Sequence, residues 1–479
     1  MTGRPIRARL WKPAARSLAV LVAASLAAAG IPASAQQGRG GGPPIIRDAE
    51  IEQLLREYTQ PILKAAGLAQ QNVHVIIIND RSFNAFVADG HRIFINSGAL
   101  MQAKTPNEVI GVLAHESGHI AGGHLARMRE QMANASTESL VAMLLGIGAM
   151  VAGARSGGGG ADVGMAAMTM PQGLIQSSML AYIRTQEEQA DRAGVKFLTA
   201  TGQSPKGMYD TFKRLGDEIM FQSRYIDPYL QTHPMPKERV AALEELVKTS
   251  PYWDKKDSPE LQFRHDMMRA KLYGYMDRAE TSANRYPASD QSLPARYARA
   301  IAASHFSDPR AAMGQIDALI EAQPQNPYFH ELKGQTLLEA GKPAEAIAPL
   351  RRATQLAPNP ALIQVMLGQA LVESNDPAHL NEAISVLETS LTRDSDSPEA
   401  YNQLAMAYGR KGDLAHADLS SAQAALTRGD LKAARMLAAR AKDRFPIGSP
   451  GWVRADDISN KDPAGTARST VVVHPKNPP

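Results

Sequence analysis

His115 and His119 stand four residues apart, with Glu116 beside the first, in the run Ala114-His115-Glu116-Ser117-Gly118-His119-Ile120. That spacing has meaning only on a helix, where positions i and i+4 share a face about 40° apart around the axis. Two imidazoles so placed can grip one Zn²⁺, and the intervening carboxylate can reach a water on the same ion. The plainer alternative is a surface helix carrying two solvated histidines. The flanking residues favour a buried helix instead. Thr105-Pro106-Asn107-Glu108 offers an N-cap, a first-turn proline and an acid near the positive end of the dipole. Val109, Val112, Leu113, Ile120 and Leu125 recur at helical spacing. Gly111, Gly118, Gly122 and Gly123 weaken an isolated helix, yet they let a neighbouring backbone come close. His124 lies about 140° around such a helix from His119, which makes it a poor ligand; it is read as structural.

A catalytic zinc centre takes three protein ligands and keeps one open position. The stretch Arg184-Thr185-Gln186-Glu187-Glu188-Gln189-Ala190-Asp191-Arg192 puts Glu187 and Asp191 one turn apart on one helical face. Residue types alone leave two readings. Glu187 binds the metal while Asp191 accepts the free ring N–H of a ligand histidine, or the pair is an ordinary charged face. Glu188 points elsewhere, toward solvent or Arg192 four residues on.

Taken together, H-E-x-x-H followed by E-x-x-A-D resembles the zinc metallopeptidase family of HtpX and the CAAX prenyl endopeptidase. Asn84-Ala85-Phe86-Val87-Ala88-Asp89-Gly90, then Ile93-Phe94-Ile95-Asn96-Ser97-Gly98, is similar to that family's hairpin ahead of the zinc helix. Thr232-His233-Pro234 with Arg239 is similar to its T-H-P-x-x-x-x-R segment. The likeness covers roughly residues 47–250. It implies one Zn²⁺ per chain held by His115, His119 and Glu187, with Asp191 behind them and Glu116 as catalytic base. It further implies that Asn84, Ala85 and Phe86 bind substrate backbone as an edge strand, and that His233 and Arg239 sit at the catalytic site. His233 then either stabilises the oxyanion or closes the fourth metal position and holds the enzyme latent. A turn residue before Pro234 is the bland reading for His233.

The family's membrane members flank the motif with spanning helices, and here the sequence departs from them. The apolar stretch from Leu140 to Ala154 is 15 residues long, against roughly 20 needed to cross a bilayer. With the glycine run that follows, residues 139–180 read as a flap beside the site, or as a packed helical hairpin. Methionines suit adaptable apolar contact, so the flap reading includes peripheral membrane contact.

Residues 1–35 read as a signal peptide. Arg4, Arg7, Arg9, Lys12 and Arg16 precede an apolar run from Leu18 to Ile31, and Ala33-Ser34-Ala35 is a cleavage signal. The absence of an Arg-Arg pair there favours the general secretory route, with cleavage after Ala35, and places the mature protein in a bacterial periplasm. An uncleaved anchor helix is the rival reading. The whole chain is +4; without the leader's five basic residues the remainder is −1, so no nucleic-acid partner is expected. With no cysteine in the chain, disulfides and thiolate–metal sites are excluded.

The second half is repetitive. Gly334, Gly341, Ala346, Leu350, Ala353 and Pro358 fall where a tetratricopeptide repeat wants small, small, Ala, bulky, Ala and Pro. Ala300, Ala312 and Pro324 precede them by 34 residues, and Gly368 follows by 34. Tyr401, Leu404, Ala405, Tyr408 and Gly412, then Gly429, Ala434, Ala438, Ala441 and Pro446, continue the pattern. A generic alanine-rich bundle would not keep this phase. Stacked helix pairs make a groove for extended or helical peptide.

These readings give an α+β chain: a zincin-like, mostly helical metalloprotease domain with a small sheet, then an all-α superhelix. The expected divisions are a signal peptide at 1–35, a flexible linker at 36–46, the protease at 47–255, repeats at 256–455 and a disordered tail at 456–479. The boundary is drawn at the linker-like run Pro251–Glu260. The resemblance, together with export and repeats, implies misfolded or unassembled outer-membrane proteins as substrates, and the outer-membrane assembly machinery as a partner of the repeats. Two rivals are kept: a periplasmic adaptor or chaperone whose metal site is structural or latent, and a membrane-anchored protease.

Overall fold

The computed structural model describes residues 44–88, 90–130, 182–221, 229, 233–307 and 309–461. The signal peptide, the 139–180 flap, Thr232 and residues 462–479 of the tail lie outside these described residues.

Asp48 accepts a hydrogen bond from the Ile51 amide and so caps α1 (Ala49–Ala65), whose Ile51, Leu54, Leu55, Tyr58 and Ile62 face the core. Ile45 and Ile46, expected in the linker, form a short strand β1 (Ile45–Ile46). It pairs antiparallel with β2 (His74–Ile78), which runs parallel to β4 (Arg92–Asn96). β3 (Ala85–Val87) pairs antiparallel with the far side of β4, Ala85 opposite Ile95. The order β1-β2-β4-β3 leaves β3 at an edge, and this strand packs against the motif-bearing helix.

A short helix α2 (Ser97–Gln102) leads to that element, α3 (Pro106–Ala121). Thr105 Oγ1 accepts from the Glu108 amide, and Pro106 opens the first turn. Burial extends around nearly the whole of α3, as its glycines suggested. A Cβ on Gly111 would lie 2.6 Å from the Met208 backbone, and one on Gly118 would lie 2.8 Å from the Ala190 carbonyl. α3 is therefore clamped between α5 (residues 182–200) and α6 (Lys206–Phe221). Gly123, with φ +62°, breaks the chain before a separate helix α4 (residues 124–130). α7 (Lys237–Lys248) packs on α6.

Next comes α8 (Pro259–Met276), which sits in two cores at once. Met268, Leu272 and Tyr273 join the cluster built on α1, the sheet and α3. Met267 joins Tyr297, Ile301 and Phe329 in the cluster that follows. Beyond α9 (Ala279–Arg285) the chain is a stack of helices: α10 (Leu293–Phe306), α11 (Pro309–Ala322), α12 (Pro327–Glu339), α13 (Pro343–Leu356), α14 (Ala361–Glu373), α15 (Leu380–Leu391), α16 (Pro398–Lys411), α17 (Leu414–Thr427), α18 (Leu431–Lys442) and α19 (Pro450–Ser459). Consecutive helices pack through the small residues of the repeat. Side chains of Leu350 and Leu387 fill the space that a Cβ would need at Gly334 and Gly368. The fold is thus the expected combination of a mostly helical unit with a small sheet and an all-helical array. Among the described residues, no helix is long and apolar enough to cross a membrane.

The start of α1 meets the repeats. Lys271 on α8 lies 2.7 Å from Asp48, 3.3 Å from Glu50 and 3.7 Å from Glu331 on α12. Tyr297 donates to Glu50 at 2.9 Å, and Arg47 pairs with Asp394 at 2.8 Å.

Candidate metal centre

α3 presents His115 and His119 on one face, and their Nε2 atoms come within 3.1 Å of each other. α5 brings Glu187 to the same point: its Oε2 lies 3.5 Å from His115 Nε2 and its Oε1 lies 3.3 Å from His119 Nε2. His233, just ahead of α7, adds Nδ1 at 3.4 Å from His115 Nε2 and 3.0 Å from Glu187 Oε2. One donor atom from each of the four residues falls within a 4.8 Å span. A tetrahedral ion with ligand distances of about 2.0–2.2 Å sets its donors about 3.3–3.6 Å apart. The measured separations, 3.0 to 3.5 Å, lie within or just below that range, and the donor set is imidazole and carboxylate, which suits zinc.

Burial and charge explain why a cation belongs here. His115, Glu116, Glu187 and Asp191 are all at most 3% exposed. Burial opposes charge on His115, but Asp191 and Glu187 outweigh it and lift that imidazole to about 9. Burial likewise works against the Glu187 carboxylate, yet the His233 ring and the other two imidazoles hold it well below its ordinary range. The pocket therefore favours positive charge between the rings, and a metal ion competes for that place with protons.

Behind the donors, Asp191 Oδ1 lies 2.9 Å from His115 Nδ1. Burial would raise Asp191, but Arg239 overrides it with hydrogen bonds from Nε and Nη2. Arg239 Nη1 also lies 2.8 Å from Glu187. Glu116 Oε1 is buried, receives no hydrogen bond and has His233 Nε2 at 3.7 Å. The Tyr229 ring stacks on His233, with centroids 4.5 Å apart. Glu188 turns out to Arg192 at 2.6 Å, as its place on the helix suggested.

Of the residues singled out in the sequence, the structure thus brings together His115, Glu116, His119, Glu187, Asp191, His233 and Arg239. Ala85 and Phe86 lie in the edge strand beside α3, and Asn84 immediately precedes it, its carbonyl accepting from the Asn96 amide. Sequence reasoning missed Tyr229, which stacks on His233, and misplaced a second neighbour. His124 is buried, and its Nδ1 lies 2.9 Å from His119 Nδ1. The 140° offset assumed one continuous helix, whereas the chain turns at Gly122-Gly123; that glycine pair was the available signal. Burial, then the neighbouring His119, push His124 down to about 4.

Such a cluster suits a metalloendopeptidase, here joined to an array of tetratricopeptide type. Residues 46–247 match the model of peptidase family M48, and residues 297–360 match a tetratricopeptide repeat. Among characterised proteins, the chain is 25% identical to the beta-barrel assembly-enhancing protease of Escherichia coli (strain K12) over 432 residues, covering 87% of this chain and 84% of that one. It is also 25% identical to the protein of the same name from Yersinia pestis, covering 86% and 83%. A shorter match, 28% identical and covering 38% of this chain and 68% of the other, is to metalloprotease LoiP of Escherichia coli (strain K12).

Proposed function

We propose that this chain is a zinc-dependent endopeptidase of the bacterial periplasm that acts on misfolded or unassembled outer-membrane proteins. Export by the general secretory route with cleavage after Ala35 is part of this reading. One observation carries the chemistry: His115, His119 and Glu187, from two separate helices, converge at donor separations that fit a tetrahedral ion. The beta-barrel assembly-enhancing proteases support the client class, and the helical array supplies a surface on which such clients, or the assembly machinery, dock.

His115, His119 and Glu187 would hold the zinc. When bound, zinc lowers the pKa of a water to about 7 and polarises the scissile carbonyl. Glu116, buried with a free Oε1, takes the proton of the attacking water and returns it to the leaving amine. Asp191 orients His115, and Arg239 is a positioning residue that holds both carboxylates rather than a group that meets substrate. The Ala85–Val87 edge strand binds substrate backbone by strand addition.

His233 supports a refinement. Its Nδ1 stands among the donors, and four protein donors make a closed site. In this arrangement the enzyme is latent, and hydrolysis requires the His233 ring to leave.

Metal analysis of the purified mature chain tests the reading. One zinc per chain is expected, with hydrolysis of a denatured β-barrel client abolished by a chelator and restored by zinc. Undiminished cleavage by a chain that holds no metal would overturn it. Carbonate extraction of membranes should release the protein; retention in the pellet would favour the anchored rival.

A further inference from the structure

We propose that His124 is a positioning residue for the metal centre: its ring fixes His119 in the tautomer that turns a free Nε2 lone pair toward the other donors. The inference rests on the reading of His119 as a ligand.

The geometry leaves one arrangement. The two Nδ1 atoms are 2.9 Å apart, so one ring donates and the other accepts. His119 Nε2 faces His115 Nε2 at 3.1 Å and Glu187 Oε1 at 3.3 Å, so its lone pair must be free to bind an ion. The His119 proton therefore sits on Nδ1 and is donated to His124 Nδ1. His124 in turn carries its own proton on Nε2. A ring that accepts at one nitrogen and carries a proton on the other is neutral.

The two ligand histidines are thus backed differently. His115 has a carboxylate behind it, Asp191 Oδ1 at 2.9 Å. His119 has an uncharged imidazole. Physics favours that asymmetry. Asp191 and Glu187 already share one guanidinium, Arg239, and Glu116 is a third buried carboxyl group at the site. A fourth carboxylate would add another buried negative charge to this cluster. A neutral acceptor orients the ring without that charge.

The chain is shaped to deliver this ring. α3 ends at Ala121, and Gly123 takes φ +62°, a conformation that suits glycine. The turn folds His124 back over the last turn of α3, with the two rings edge to face at 4.9 Å between centroids. A Cβ on Gly122 would lie 2.3 Å from His124 Nε2, so glycine at that position also makes room for the ring.

The test uses the full chain with His124→Asn, His124→Phe, Gly122→Ala and, as reference, His119→Ala. Zinc affinity is measured by chelator competition, the cobalt(II)-substituted visible spectrum reports ligand geometry, and thermal unfolding of chelator-treated protein reports the fold. Loss of an outer-shell partner costs about 10–100-fold in metal affinity. His124→Phe should show that loss with a shifted cobalt band and an unfolding midpoint like the parent's. Asn offers an acceptor oxygen at the same reach and should recover most of the affinity. Gly122→Ala keeps the imidazole but displaces it, and should move the cobalt band in the same direction; it serves as the second probe if the Phe variant does not fold. Asn losing as much affinity as Phe, or Phe binding zinc like the parent while His119→Ala does not, would overturn the positioning role alone. Parental zinc affinity in His119→Ala would overturn the ligand reading beneath it.

Discussion

Arg239 holds Asp191 in a two-pronged grip, Nε to Oδ2 at 2.7 Å and Nη2 to Oδ1 at 2.8 Å. Its third nitrogen lies 2.8 Å from Glu187. One cation thus ties the acid behind His115 to the acid among the donors. Arg239→Met takes the guanidinium away from two buried carboxylates, leaving them only their imidazole partners, and should weaken zinc binding about 10–100-fold and destabilise the fold by about 3–5 kcal/mol. Arg239→Lys should recover little, because an ammonium is a point charge and cannot fork. Chelator competition and urea unfolding check both effects; a Met variant matching the parent in each would rule out the grip as a support for the site.

Glu116 and His233 should respond in opposite directions. Glu116→Gln keeps shape but removes the base, so hydrolysis of a quenched peptide should fall by about 10²–10⁴-fold with zinc content unchanged. His233→Ala removes the fourth donor of the closed site and should raise hydrolysis above the parent's. A fall in the His233→Ala rate, with zinc retained, would show instead that this ring stabilises the oxyanion.

The legible parts of the sequence were those with a period. Four-residue spacing placed His115 and His119 on one helix, and the 34-residue phase exposed the helical array. Glu187 lies far along the chain from His119, and spacing alone could not separate it from a charged helix face; family likeness did that. α8 was illegible for another reason. Met267 and Met268 are neighbours in sequence but belong to two different cores, so no single apolar stripe says which side owns the helix. Glycines in α3 announced close packing without naming the partner. Gly118→Ala would push a methyl to 2.8 Å from the Ala190 carbonyl, one residue from Asp191. Backbone there cannot swing away as a side chain would, so α3 and α5 should part. The expected result is about 1–3 kcal/mol of destabilisation from overpacking, with zinc lost in a chain that still gives a folded circular dichroism spectrum. A Gly118→Ala chain with parental zinc affinity would show that the two helices absorb the methyl.

α8 also sets where the chain can be cut. The run Pro251–Glu260 has the composition of a linker, yet Asp257 accepts the Asn107 amide at the start of α3. His265 bridges the Tyr58 hydroxyl and the Ala103 carbonyl, and Tyr273 donates to Met101. A chain ended at Lys255 loses these bonds together with Met268 and Leu272 from the core, and should be insoluble or unfolded. A chain ended at Asp290, after α8 and α9, should fold and cleave a short peptide. Equal solubility and activity of the two truncations would show that α8 contributes nothing to the catalytic unit.

The junction between α1 and the repeats should make stability fall with rising pH. Lys271, buried, faces Asp48, Glu50 and Glu331, with the Tyr297 hydroxyl on Glu50 and the Tyr328 ring 5.6 Å from its ammonium. One cation cannot neutralise three carboxylates, and burial, only partly offset by Lys271, pushes Glu331 up to about 8. The folded chain then holds a proton on Glu331 that the unfolded chain releases near its ordinary 4.5. Between those values the native state binds more protons than the unfolded state, so the stabilisation this group contributes is present below the window and is lost as pH climbs through it. Gln resembles the protonated acid and does not titrate. Parent and Glu331→Gln should therefore unfold at similar denaturant midpoints near the acid end, with the parent dropping below the variant as pH approaches 8. Parallel midpoints across the range would mean that Glu331 is ionised in the folded chain, its charge balanced by Lys271 alone.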